Sequence, residues 1–263
     1  MNRSNEMNKK MQTFAGVAAA VLLAGCTNVA TFDYASAPGP MVKFQAAGAA
    51  AKTIAVLPFL DQRGTKYFDP MQAGQAAAHP AGDHGSFYLG FLPLLPAGFV
   101  EKEEPENSED FVSLGRFHFN VQNDLANAAV QSLKASNLFA NVVKANDLNQ
   151  ANNADYIWRG IVTNTYYSGS MFSYCITYFL SPVLWVLGAP SGASGNELWV
   201  KFELVERATG KVLWNYDYRG SDYIVHWIYA RIGKDTSLYP QLMKQAMNGA
   251  LWELSQKLPT LAK

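Results

Sequence analysis

Two stretches of the chain carry helical periodicity and five carry the signature of strands. Val121, Leu125, Ala128, Ala129 and Leu133 fall on one stripe of an α-helix, with Asn120 placed to cap its start and Asn137 placed for a left-handed end. Met243, Ala246, Met247, Ala250, Leu251, Leu254 and Leu258 form a second stripe, and Pro240 suits a first turn. Thr53 to Phe59 is a short apolar strand closed by the polar Asp61-Gln62-Arg63-Gly64, with Pro58 near its end because it cannot donate to a ladder. Leu138 to Val143 predicts another strand, Asp147 to Asn153 a polar turn or short helix, and Tyr156 to Tyr167 a long strand. The long strand places Ile157, Arg159, Ile161 and Thr163 on one side, with Trp158, Val162 and Asn164 on the other. Glu197 to Glu206 and Lys211 to Tyr218 flank Arg207-Ala208-Thr209-Gly210 as a hairpin, with Leu198, Val200, Phe202 and Leu204 on its apolar face. One covered face and one wet face imply a mixed, largely antiparallel sheet with helices packed on one side, an α/β (α+β) fold.

Two regions break this pattern. Between residues 64 and 112 regular periodicity disappears, and the stretch ends in an acidic patch, Glu101 to Asp110, with six acids and one lysine. The patch reads as a solvated surface, because its spacing matches no loop of alternating calcium ligands. From Gly160 to Asn196 there is no charged residue, and residues 171–189 are strongly apolar. That second insertion, 168–196, has three readings: an element packed in the core, a membrane span, or a hairpin lying at a membrane surface or between subunits. Pro182 and the difficulty of exporting so apolar a helix argue against a span. On the third reading Phe172, Phe179, Leu180, Leu184, Trp185 and Leu187 are the membrane or partner contacts.

The start of the chain says where the protein resides. Lys9 and Lys10 precede an uncharged run from Met11 to Gly25, about 15 residues against the roughly 20 that a spanning helix needs. The run closes in Leu23-Ala24-Gly25-Cys26, which resembles the lipobox of bacterial lipoproteins. The resemblance implies a signal peptide over 1–25, cleavage before Cys26, acylation of Cys26 and membrane attachment through the acyl chains. Thr27, rather than Asp, after the cysteine implies the periplasmic face of the outer membrane. Translation from Met1 or from Met7 gives the same mature chain. Residues 26–51, rich in Ala, Gly, Ser and Pro, read as a flexible tether, and 52–263 as a single domain carrying the two insertions.

Of 21 basic and 21 acidic residues, three and one lie before Cys26, which leaves 18 against 20 and a net charge of about −2. A near-neutral chain without a Lys/Arg cluster has no footprint for nucleic acid. The second cysteine, Cys175, has no intramolecular partner once Cys26 is acylated and reads as a buried thiol. Among His79, His84, His118 and His226, only the His79 to His84 loop suggests a hydrolase, and no further ligand cluster supports a metal there. No nucleophile elbow, phosphate loop or zinc-protease helix is present, and no cofactor motif.

The element order, opened by Ile54-Ala55-Val56-Leu57-Pro58-Phe59, resembles a group of envelope proteins. It includes the curli-secretion channel lipoprotein, lipoprotein activators of peptidoglycan synthases and the N-terminal domain of the Tol propeller protein. Leu138-Phe139, Ala154-Asp155-Tyr156, Asn196-Glu197-Leu198 and Gly210-Lys211-Val212-Leu213-Trp214 resemble a family of uncharacterised bacterial lipoproteins. That family carries no activity over, and the leading expectation is a non-enzymatic envelope assembly or secretion-accessory factor that binds envelope proteins or itself through the two apolar insertions. A lipid-transport accessory touching acyl chains through 171–189 is the alternative, and a periplasmic hydrolase the rival from another class.

Overall fold

The computed structural model describes residues 29–44, 52–63, 87–88, 98–103, 110–112, 116–172, 174, 181–230 and 236–261. Its centre is a long antiparallel ribbon. Strand β11 (Gly192–Glu206) pairs along its whole length with β12 (Val212–His226). On its other edge β11 meets β9 (Tyr156–Asn164) and then β10 (Tyr167–Phe172), so the expected long strand runs on past Tyr167 with an irregularity at Asn164 to Tyr166. At one end the sheet is widened by β2 (Thr53–Val56) and β8 (Asn141–Lys144), both parallel to β9. A two-residue strand, β3 (Leu60–Asp61), continues beside β9. At the other end β5 (Gly98–Glu103) pairs with β10, and β4 (Phe87–Tyr88) pairs with β5. The result is a mixed, largely antiparallel nine-stranded sheet.

Two long helices, α1 (Val121–Ser136) and α3 (Leu238–Leu261), pack against each other and against one face of the sheet. Their apolar stripes are those the sequence shows: Leu125, Leu133, Met243, Met247, Leu251 and Leu254 are all fully buried. Asn120 caps α1 by accepting from the Asn123 amide at 2.9 Å, while the Asp124 carboxylate accepts from the Asn120 amide, so orphan donors at both positions are satisfied. Asn137 ends the helix at φ 59°. Trp158, Phe202, Leu198, Leu204 and Trp214 line the covered face, alternating with half-buried polar residues on the wet face. Close packing is tightest at Gly160, where a Cβ would stand 2.4 Å from the Phe59 ring, so only glycine fits.

The two insertions belong to the architecture. Phe172 to Tyr167 pairs with Gly98 to Glu103, so a segment of each insertion forms a ladder with the other. The lack of periodicity between 64 and 112 hid β5, because its neighbours, not its own pattern, define it.

Within the segment 26–51, expected to be a tether, residues Val29 to Phe44 lie against the body. Strand β1 (Val29–Thr31) pairs in parallel with β7 (Arg116–His118), which pairs with β6 (Asp110–Val112) in a small second sheet. Beyond β1 the chain crosses both helices as a strap. Phe32 stacks on Phe119 at 5.0 Å, and the Tyr34 hydroxyl meets Ser132 of α1 at 2.5 Å. The Val42 amide donates to Asn248 of α3, and the Phe44 amide to the Ser136 carbonyl. Small and turn-forming residues dominate this stretch, but the four apolar side chains Phe32, Tyr34, Met41 and Phe44 bury enough surface to hold it.

Candidate contact surface

The second insertion ends in a short helix, α2 (Ser181–Val186), which stands beyond the last paired residues of β10 and β11 as a knob. Pro182 lies in its first turn, where its missing N–H costs nothing, so the proline that argues against a span starts the helix here. Gly188 at φ +100° ends it, with Leu187 and Ala189 donating to the Val183 and Leu184 carbonyls. The knob is fastened from three sides. Trp185 Nε1 donates to the Phe172 carbonyl at 2.9 Å, the Tyr229 hydroxyl to the Val186 carbonyl at 2.6 Å, and the Tyr174 hydroxyl to the Pro190 carbonyl at 2.6 Å.

This fastening divides the apolar side chains. Leu184, Trp185 and Phe172 are half-buried, with Phe172 edge-on to Tyr174. Val183, Val186 and Leu187 are 52%, 58% and 77% exposed, and Tyr229 beside them is 69% exposed. Val183, Val186 and Tyr229 carry no individual signal in the sequence; a helix start at Pro182 would have brought the two valines out. Phe179 and Leu180 lie outside the described residues, as do Cys26, the whole signal segment, His79, His84 and Cys175. Among the described residues no helix is long and apolar enough to cross a membrane.

Beneath the knob lies a buried polar chain. Ser194 Oγ is 2.7 Å from His226 Nε2 and 3.3 Å from the Tyr167 hydroxyl, and Ser194, His226 and Tyr167 are each 1% exposed. A serine beside an imidazole is a nucleophile's arrangement only where substrate can approach. Closed to solvent, this one ties β10, β11 and β12 together. Next to it, Arg63 is 4% exposed and paired with Asp61 at 2.7 Å, and it donates to Thr165 Oγ1. The Tyr239 hydroxyl donates to the Thr165 carbonyl at 2.7 Å, and full burial pushes its pKa far up. An open groove of about 590 Å³ at the ends of β2 and β8 is floored by Leu57, Pro58 and Leu60 and rimmed by Gln122, Asn146 and Asp147. Neither it nor any other described region gathers three metal-ligating side chains.

Among the described carboxylates held below their ordinary values, Asp155, Glu203 and Asp61 tie the sheet and its flanking segments together. The Thr53 amide and Lys52 hold Asp155 below its ordinary value. Burial raises Glu203, but hydrogen bonds from Arg159 and Lys201 outweigh it and the net shift is down. Burial likewise raises Asp61, but hydrogen bonds and charge from Arg63 outweigh it and the net shift is down. A carboxylate with a depressed folded-state pKa contributes stability that is complete above its unfolded value and is lost as pH falls through the folded value. The unfolded values are 4.5 for Glu203 and 3.8 for Asp61 and Asp155. Urea midpoints are therefore expected to hold down to about pH 5 and to fall steadily below about pH 4. A midpoint that rises on acidification contradicts the assignment.

No family model matches the chain, and no curated protein matches its sequence. Solved structures give distant likenesses. A protein of family-model DUF330 from Xanthomonas campestris is 9% identical with a TM-score of 0.46, over 90% of this chain and 100% of that one. A PelC dodecamer from Paraburkholderia phytofirmans is 15% identical with a TM-score of 0.32, over 78% and 91%. Lipoprotein GNA1162 from Neisseria meningitidis is 15% identical with a TM-score of 0.20, over 75% and 99%. At these scores the likenesses carry no weight for function.

Proposed function

We propose that the protein is a non-enzymatic, lipid-anchored factor of the bacterial cell envelope, facing the periplasm from the outer membrane, whose α2 knob is its contact element. The observation that carries the reading is the knob itself. Three apolar side chains are presented to solvent on a helix and the turn that ends it, held in place by hydrogen bonds, within a chain segment free of charge. Isolated surface leucines need no explanation, but a fastened apolar cluster is a recognition element or a liability. The lipobox ending in Cys26 supports the location.

Two substitutions test the reading together. Cys26→Ser, exported behind a signal peptide that is cut without lipidation, is expected to shift the protein from the membrane fraction to the soluble fraction, since without acyl chains no described helix spans a bilayer. Leu187→Asp, at an exposed position, is expected to keep the thermal midpoint within a few degrees while weakening the phenotype that deletion of the protein produces. Retention of Cys26→Ser in membranes rules out the anchor, and an Asp variant with full function removes the knob from the account.

A further inference from the structure

The docked strap changes how far the body can stand from its anchor. Val29, where β1 begins, is three residue steps beyond Cys26, and a fully extended chain covers at most about 3.3–3.6 Å per residue, roughly 10 Å in all. A flexible tether over 26–51 would allow several times that distance. With acyl chains on Cys26, the part of the fold that carries Val29 is therefore held against the bilayer.

The topology identifies that part. β1 runs in parallel with β7, and β7 leads through Phe119 into the first turn of α1, so Val29 lies beyond the starts of the helices. Phe117 and Phe119 both stack on Tyr239 at the start of α3, which fixes the small sheet at that pole. The strap then runs away from it, reaching Ser136 at the end of α1 by Phe44. β9 travels toward the same pole, because the Tyr239 hydroxyl caps the Thr165 carbonyl just past its end. Residues Gly192–Asn196 of β11 and Asp222–His226 of β12 extend beyond β9 with β10 as their partner, and α2 tops that extension. The anchor and the knob thus leave the body in the same direction. The hairpin turn at Arg207–Gly210 lies at the opposite pole, next to Asp155.

The geometry points to the bilayer that holds the acyl chains as the partner of the knob: Val183, Val186 and Leu187 enter its interfacial layer, with Tyr229 at headgroup level. This rests on the anchored reading above and names the contact. The chemistry suits a lipid surface. No charge occurs between Gly160 and Asn196, so the knob itself carries no ion to the bilayer. Tyr and Trp are the aromatic residues favoured at the membrane boundary, and Tyr229 and Trp185 spend their polar atoms on backbone carbonyls within the knob. The contact adds to an anchor that already binds; its effect is to orient the body, with the wet face of the ribbon standing away from the helices and open to the periplasm.

The test uses the acylated full-length protein with Cys175→Ser, carrying one environment-sensitive thiol label at Leu187→Cys, at Val183→Cys or at Ala208→Cys in the far turn. Each form is reconstituted into phosphatidylethanolamine and phosphatidylglycerol vesicles with and without nitroxide-bearing lipids. The labels at 187 and 183 are expected to shift to the blue and lose most of their emission to the nitroxides, while the label at 208 keeps both colour and intensity. Labels at 187 and 183 that are quenched no more than 208, in protein that is acylated and bound to vesicles, overturn the membrane contact and leave the anchored reading standing. Labels shielded from water without quenching by lipid overturn it in favour of a protein contact. A mass showing Cys26 without acyl chains overturns both readings.

Discussion

Replacing Trp158 by alanine is expected to lower the unfolding free energy by about 3–5 kcal/mol, the cost of a large cavity in a close-packed core. Trp158 is fully buried on β9, with Phe202 of β11 at 5.3 Å and Trp214 of β12 at 5.8 Å. All three central strands therefore meet at one side chain beneath the helices, and neighbours held in a ladder cannot collapse into the space it leaves. Against a total stability of about 5–15 kcal/mol, the variant sits near the limit of folding. The indole Nε1 finds no hydrogen-bond acceptor among the described residues. Trp158→Phe removes that unpaired donor along with some volume, so its cost is expected to be clearly smaller. Urea unfolding of the two variants checks both statements; an alanine variant within 1 kcal/mol of the parent contradicts the packing described here.

Lys244→Ala is expected to free the strap at a cost of about 1.5–3 kcal/mol, the range for hydrogen bonds made by a charged group. Lys244 on α3 is 4% exposed and donates to the Ala37 carbonyl at 2.5 Å and the Gly39 carbonyl at 3.3 Å. Its ammonium stands 5.4 Å from the centre of the Tyr34 ring, within cation–π range. Truncation removes the donor and leaves two carbonyls turned toward a protein surface they no longer bind. The effect is local, because the strap lies over the helices without being interleaved between them. Amide exchange at Ala37, Val42 and Phe44 is expected to accelerate while that of α1 stays slow, and uniform acceleration would show instead that Lys244 supports the whole core.

These expectations turn on residues the sequence treats unequally. The alternation of Leu198, Val200, Phe202 and Leu204 against Trp199, Lys201 and Glu203 is a period-two pattern with one dry face, and it announces its strand without help. The stripes of α1 and α3 are equally plain, down to the caps at Asn120 and Asn137. The strap is not, because Ala, Gly and Pro surround its anchoring side chains, and a composition average hides the buried Tyr34 and the half-buried Phe32, Met41 and Phe44. β5 is hidden for a different reason: an acidic run such as Glu101 to Glu103 earns its place by pairing with Gly169 to Tyr167, a contact nearly 70 residues away in the chain.

The knob falls between these cases. Its apolar content is evident from Phe172 to Leu187, yet which side chains face out depends on where the helix begins. Once Pro182 sets that start, Trp185 and Leu184 turn partly inward and Val183, Val186 and Leu187 outward. The polar chain of Tyr167, Ser194 and His226 left no trace either, since its members lie 27 and 32 residues apart and only the register of β10, β11 and β12 unites them.

Orientation at the membrane depends on the strap being docked, and hydrogen exchange of the acylated full-length protein measures that directly. The Phe44 amide, bonded to the Ser136 carbonyl at 2.9 Å, and the Val42 amide, bonded to Asn248, are expected to exchange as slowly as amides in the first turns of α1. Exchange at unfolded-chain rates through residues 29–44, with α1 and α3 still protected, would make the segment a tether and remove the constraint that brings the knob to the bilayer.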